Sequence, residues 1–496
     1  MTDVSLNGHM RNAGQTSADV VVLSFIAAAA VYFYFSSTGL MLLGLGSGAV
    51  TFFAPGAISL ASVPLFALCL IAAAANRHAF VILLPFVMLA FPSAINDLAP
   101  SMFIGPASEG GAAPFPLLTH IDIYLLLGLY TFGGRGLTGY RSSGIIVGLA
   151  ALLLLQSAVS LLSSINLADA ALLATGNYHA RFLVLCYLLV RSVPEAFDLR
   201  RLSIGLVLAL SFLFIEAFVF SGIEGHLRLT SGTLGNNAFA QIVSAAAIYL
   251  IFAPSSVLTP QVQKIRIPMV ALCILVIVWT GTRVAMANVF IVSLILAVAS
   301  GRLRRILPTI VLLLAAILGV WSAGQVERFS AGATAAAAIS QGDVDETLAT
   351  TSSLFTRLTL YKASAAMLRE HPVAGVGAGR WNQRKSAYGV PFHTLLDPHN
   401  GYLAFLSQYG WFAGAALVLV LLLWPAYRCL KFLFSGEVNP TLYAGILPLA
   451  MLIPELTNAS SFKPGVAAFL MYVAVLVLGA PSVVYRKVPA DWLPGK

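Results

Sequence analysis

Leu354–Tyr427 reads LFTRLTLYKASAAMLREHPVAGVGAGRWNQRKSAYGVPFHTLLDPHNGYLAFLSQYGWFAGAALVLVLLLWPAY. A polar stretch rich in Arg and His turns directly into an apolar run long enough to cross a bilayer. Leu354, Leu358, Tyr361, Ala365 and Leu368 recur at helical spacing, which predicts one amphipathic helix with these residues as its apolar stripe. His371-Pro372 ends it, and the glycines of HPVAGVGAGRWN allow a tight, close-packed turn. Asp397-Pro398-His399-Asn400 then opens the apolar helix at once. The stretch predicts a helical membrane protein whose polar groups gather at one membrane surface.

The rest of the chain agrees. Of 496 residues, 59% are hydrophobic and 9% charged, against about a quarter charged in a soluble domain. The expected fold class is all-α, a polytopic transmembrane helical bundle forming a single integral membrane domain over 1–496. Candidate spans run over 18–35, 39–53, 57–75, 79–95, 117–133, 144–163, 180–191, 202–220, 236–253, 267–282, 284–300, 306–323, 400–427, 441–459 and 464–485. We expect about 14 crossings with a cytoplasmic N-terminus, the first apolar run being a retained helix. The formal charge of +9 is the positive-inside bias of the loops and no nucleic-acid footprint. Arg77, Arg135 with Arg141, Arg200 with Arg201, Lys264 with Arg266, Arg302 with Arg304 and Arg305, Arg428 with Lys431, and Arg486 with Lys487 fall in every second loop. Those loops are then cytoplasmic, and the long loop 324–399 external. The cysteines Cys69, Cys186, Cys273 and Cys429 lie in or beside apolar spans without metal-ligand spacing, so they read as packing residues.

No nucleotide-binding loop, HExxH, CxxC or acidic Asp-x-Asp cluster is present, so metal and nucleotide chemistry have no sequence anchor. An enzyme built this way needs a substrate that arrives activated. Arg283 sits at an external turn, against the charge bias, where a guanidinium can hold phosphate oxygens bidentately. A snorkelling interfacial Arg is the structural alternative. Arg357 lies beside the apolar stripe of the predicted helix. Arg369, Arg380, Arg384 and Lys385 read as solvated loop cations; Arg380, in the glycine-rich turn, is kept among the candidate substrate contacts. His371 and His393 read as surface or packing histidines. His399 opens a membrane helix whose dipole disfavours its protonated form, leaving it available as a base; interfacial capping is the alternative. Asn400 either orients His399 or caps the helix. Glu216, Asp122 and Glu455 are acids in or beside spans, and therefore functional suspects. Pairing with Arg181, Arg228 or a site arginine explains them equally well.

These features, in this order, resemble the O-antigen ligase and polymerase family of bacterial envelope glycosyltransferases. The matching pieces are the Thr282-Arg283 turn, the Arg357-x-x-x-Tyr361 helix running into HPVAGVGAGRWN, and DPHNGYL opening a span followed by Gly410 and Gly414. The resemblance covers roughly residues 200 to 430 and implies a metal-free, cofactor-free active site of two arginines and a histidine. By motif position these are Arg283, Arg357 and His399. Thr282 and Tyr361 stand where Ser and Trp are expected, and the N-terminal spans exceed the family's usual dozen or so. The implied reaction moves a glycan from an undecaprenyl-diphosphate carrier to an acceptor glycolipid or a second lipid-linked glycan, at the periplasmic face of the bacterial inner membrane. The candidate substrate contacts, taken from the residues themselves, are Arg283, Arg357, Arg380, Asn400 and Glu216. A ligase and a polymerase of O-antigen or exopolysaccharide share such a site. A transporter or flippase of lipid-linked sugars predicts ionisable residues at the membrane midplane and internal repeats, and neither is found. A non-catalytic assembly scaffold is the third option.

Overall fold

The computed structural model describes residues 65–91, 119–133, 143–162, 177–224, 229, 231, 234–301, 310, 314, 353–390, 397–435 and 439–480. The expected spans at 18–35 and 39–53, nearly all of 306–323 and the first part of the long loop lie outside them. Every regular element among the described residues is helical. In chain order these are α1 (Leu65–Ala75), α2 (Arg77–Leu89), α3 (His120–Phe132), α4 (Ser143–Leu162), α5 (Tyr178–Ser192), α6 (Leu199–Glu224), α7 (Gly235–Phe252), α8 (Pro260–Thr280) and α9 (Arg283–Ala299). There follow α10 (Ser353–Glu370), α11 (Gly401–Val418), which runs through a π turn into α12 (Trp424–Ser435), then α13 (Ile446–Met451) and α14 (Pro464–Gly479). Five described helical stretches are long and apolar enough to cross a membrane.

Apolarity all round a helix marks the interior of a membrane bundle. Helices α7 and α14 show it: Ala238–Phe252 and Val466–Gly479 are buried without interruption. Around them α4 exposes Leu154, Leu155 and Leu162, and α9 exposes Ile291, Leu294 and Val298, a surface suited to lipid. Small residues allow close crossings. A Cβ on Gly205 of α6 would lie 2.1 Å from the Ile82 oxygen of α2, and one on Gly465 of α14 2.0 Å from the Met88 oxygen. The cysteines Cys69, Cys186, Cys273 and Cys429 are free and buried.

Two elements depart from regular helix. In α11, Gly410 adopts φ 78°, ψ 177°, a left-handed conformation that glycine tolerates. The break frees the Ser407 and Gln408 carbonyls and the Trp411 amide from the helical ladder, and in an apolar core each must find a partner. The glycine-rich turn supplies all of them. Val376 N donates to Ser407 O (2.8 Å), Gly377 N to Gln408 O (3.1 Å), and Trp411 N to Pro372 O (2.9 Å). Contact is close enough that a Cβ on Gly375 would sit 2.4 Å from the Gln408 carbonyl carbon, and one on Gly410 2.2 Å from the Val373 oxygen.

The second broken element is 440–463, where short 3-10 turns flank α13. Pro454 has no N–H to give to Ala450 O, and Asn288 Nδ2 of α9 donates to it instead (2.7 Å). Tyr402 OH donates to Leu452 O (2.7 Å) and Gln241 Nε2 to Pro454 O (3.2 Å).

Helix α10 forms and ends at Glu370, before the predicted His371-Pro372 stop. Its buried face matches the predicted stripe only in part: Leu368 is buried, and Tyr361 and Ala365 are half-buried. Leu360, Ala363 and Met367 are buried, whereas Leu358 is 38% exposed. They pack with Val376, Trp381 and Val390 in a small core of their own. Tyr361 is half-buried against this core, and its hydroxyl reaches the turn 454–456.

Candidate active site

The site is built around the broken segment. Asn400 is the N-cap of α11: its Oδ1 accepts Leu403 N (2.9 Å), while its Nδ2 donates to Leu456 O (3.0 Å). Tyr361 OH of α10 donates to the same Leu456 oxygen (3.1 Å) and to His399 O (3.3 Å). The turn 454–456 thus ties α10 to the start of α11, and α9, which Arg283 opens, contacts it as well.

His399 precedes the cap and has φ 49°, the one positive φ outside glycine among the described residues. Such a conformation is sparsely populated and persists when its surroundings hold it. Here Asp397 Oδ1 accepts the His399 amide (2.7 Å), and the Tyr361 hydroxyl engages the carbonyl. The His399 Nδ1 lies 3.3 Å from Asp397 Oδ1 and 3.4 Å from Asn458 Oδ1. Both are acceptors, so Nδ1 carries the hydrogen and Nε2 is left to receive a proton. The side chain is 24% exposed, open to a substrate.

Glu455 is buried at the first turn of α11. It accepts Ser461 N (2.9 Å) and Ser461 Oγ (2.8 Å), and a Cβ on Gly401 would lie 1.7 Å from its Oε2. Its carboxyl group therefore packs directly against the first turn of α11. Asn458 Nδ2 donates to Ser460 Oγ (2.8 Å), whose hydroxyl in turn bonds Gln241 Oε1.

Arg283 stands exposed at the first position of α9, after Gly281 (φ 67°). Thr282 Oγ1 donates to Asn236 Oδ1 at the start of α7 (3.3 Å). Arg357 is half-buried one turn before Tyr361, so both project from one face of α10. The elements bearing Arg283, Arg357 and His399 therefore converge on the turn Pro454–Leu456. Glu216 accepts the Ser231 hydroxyl, just before α7. Asp122 closes a capping box with Thr119 and pairs with Arg181 at 3.2 Å, the structural alternative for that acid.

The loop cations need correction. Arg380 and Lys385 are buried, 2% and 5% exposed, not solvated. The turn folds back onto α10, where Trp381 Nε1 donates to Ser364 Oγ (3.0 Å), and its flanking cations are carried inward with that ring. Burial lowers the Lys385 pKa from its ordinary value. Arg369 is exposed, as is His371. His393 and Arg228 lie outside the described residues.

Sequence reasoning passed over Asn458 and Lys463. The polar run Thr457-Asn458-Ala459-Ser460-Ser461 between two apolar stretches was the available signal. Lys463 falls in 460–463, a stretch that the alternation of basic loops expects to be external, so the argument that singled out Arg283 applies to it as well. His179, also unflagged, ties α5 to the site's wall through Tyr409 OH (2.8 Å) and Ser461 O (3.1 Å).

The fold and the cluster together define a helical membrane protein with a polar site assembled on interrupted helices. Residues 268–418 match the family model described as O-antigen ligase, and the match supports placing the chain in the O-antigen ligase and polymerase family. The matched span holds Arg283, Arg357, Arg380, His399 and Asn400. Glu216, Glu455, Asn458 and Lys463 fall outside it. No curated protein matches the chain. The match suggests O-antigen ligase-type glycosyltransferase activity on lipid-linked glycans, and with the apolar helices it points to a bacterial membrane protein.

Proposed function

We propose that the protein transfers a glycan from an undecaprenyl-diphosphate carrier to an acceptor sugar at the periplasmic face of the inner membrane. The observation that carries this reading is His399, held in a left-handed conformation with Nδ1 turned to Asn458 and Asp397. Its Nε2 takes the proton of the acceptor hydroxyl as that oxygen attacks the anomeric carbon. The bond from the anomeric carbon to the diphosphate oxygen breaks, and its electron pair leaves with the diphosphate. Displacement in one step inverts the anomeric centre. Arg283 and Arg357 neutralise the charge that develops on the leaving group, so no divalent ion is required. Glu216, Arg380 and Asn400 belong to the surrounding substrate site, Asn400 by fixing the backbone beside His399. The alternation of basic loops supports about 14 spans with loop 324–399 outside.

The test is transfer by the purified, reconstituted protein from an undecaprenyl-diphosphate oligosaccharide, with lipid A core present or absent and with EDTA added. Product in EDTA, dependent on lipid A core, is expected of a ligase. Chain growth without the core assigns the polymerase reaction of the same site. Absence of both products, or loss in EDTA reversed by magnesium, contradicts the reading. Cysteine labelling at position 341 from the outer side only is the matching topology result.

A further inference from the structure

The site holds a cation that the reaction above leaves unused. Lys463 closes the broken segment, immediately before α14. Its Nζ reaches the start of α7, 3.9 Å from where a Cβ on Gly235 would stand. The neighbouring residue there, Asn236, accepts the Thr282 hydroxyl beside Arg283. Lys463 and the Thr282-Arg283 turn therefore meet at the first turn of α7. Among the described residues no hydrogen bond or ion pair holds the Lys463 ammonium; Asp397 acts on it only through its charge. Burial lowers its pKa from the ordinary value and Asp397 opposes that shift. A partly desolvated ammonium beside a helix N-terminus is badly placed for stability alone, because the dipole and the lost hydration both disfavour it. An anion arriving there relieves both costs.

We propose that Lys463 is a substrate-binding cation that, with Arg283, grips the anionic diphosphate of the donor across the first turn of α7. The inference rests on the donor assigned above and adds to it a contact from outside the matched family segment. The competing role is structural: Lys463 as a distant charge partner of Asp397, acting on His399 alone.

Titration calorimetry of the full-length protein in nanodiscs separates these, with farnesyl diphosphate and farnesyl monophosphate as probes. Lys463→Met should lose about tenfold in diphosphate affinity, the scale of one charge-assisted hydrogen bond. Lys463→Arg should stay within about threefold, since the charge remains. Monophosphate affinity should change less, so discrimination between the probes should fall. If Lys463→Met does not fold, Lys463→Gln is read the same way. Wild-type diphosphate affinity in a folded Lys463 variant, with weakened binding in Arg283→Lys, removes Lys463 from the site and leaves the proposed reaction standing. No diphosphate binding by the wild type removes both.

Discussion

Helix α14 and the segment before it, 440–463, are adjacent in sequence and both lie among buried helices, yet they are built on opposite plans. α14 is an apolar helix, regular from Pro464 to Gly479, whose last-turn carbonyls Val477 O and Leu478 O accept from the Arg428 guanidinium. The segment before it is broken at prolines, and its carbonyls are capped from outside: Ala450 by Asn288, Leu452 by Tyr402, Pro454 by Gln241, Leu456 by Asn400 and Tyr361. The difference shows what a polar site inside a membrane bundle requires. Irregular backbone at that depth survives only where neighbouring side chains complete its hydrogen bonds. The capping residues are therefore also the residues that position His399, and fold and site cannot be altered separately here.

Substitutions can break this comparison, and the largest effect is expected at the other interruption. Gly410→Ala puts a methyl on the Val373 carbonyl at a positive φ. It should cost more than about 3 kcal/mol and undock the glycine-rich turn. Rapid tryptic cleavage at the exposed Arg369, absent in wild type, reports it. Gly401→Ala comes next, because the new methyl collides with the Glu455 carboxylate. Loss of about 2–3 kcal/mol is expected, read as a lowered thermal midpoint in detergent. Tyr402→Phe removes one cap and leaves Leu452 O without that donor, for about 0.5–1.5 kcal/mol by the same measurement. In α14, Leu476→Met, a volume-conserving swap at a fully buried position, should be nearly neutral, below about 1.5 kcal/mol, if that helix only packs. A larger loss there than at Tyr402 would contradict the contrast between the two segments.

Much of this was legible in the sequence for physical reasons. Apolar runs and basic loops mark membrane helices regardless of detail, and His371-Pro372 stops α10 because proline cannot continue a helix. The glycines of 375–379 read correctly as a close-packed turn, but what they pack against did not. The partner is a break in a helix at Gly410, and a single glycine in an apolar run looks the same whether the helix bends there or not. The stripe on α10 was legible only in part, because that helix serves two neighbours. Leu360 and Met367 fill a local core against which Tyr361 packs while its hydroxyl reaches Leu456, so the buried face is displaced from the stripe that periodicity marks. Asn458 and Lys463 escaped notice because a polar residue in a short turn becomes part of a site only through long-range contacts.

The most direct test of the central claim is single-turnover transfer by His399→Ala in reconstituted membranes, with farnesyl diphosphate binding measured on the same preparation. Loss of a general base lowers the rate by about 10²–10⁴-fold, while diphosphate affinity should hold because Arg283 and Arg357 remain. Arg357→Ala should lose in both rate and affinity. Transfer at the wild-type rate by well-folded His399→Ala would contradict the account and leave His399 as a residue that only shapes the entry to α11.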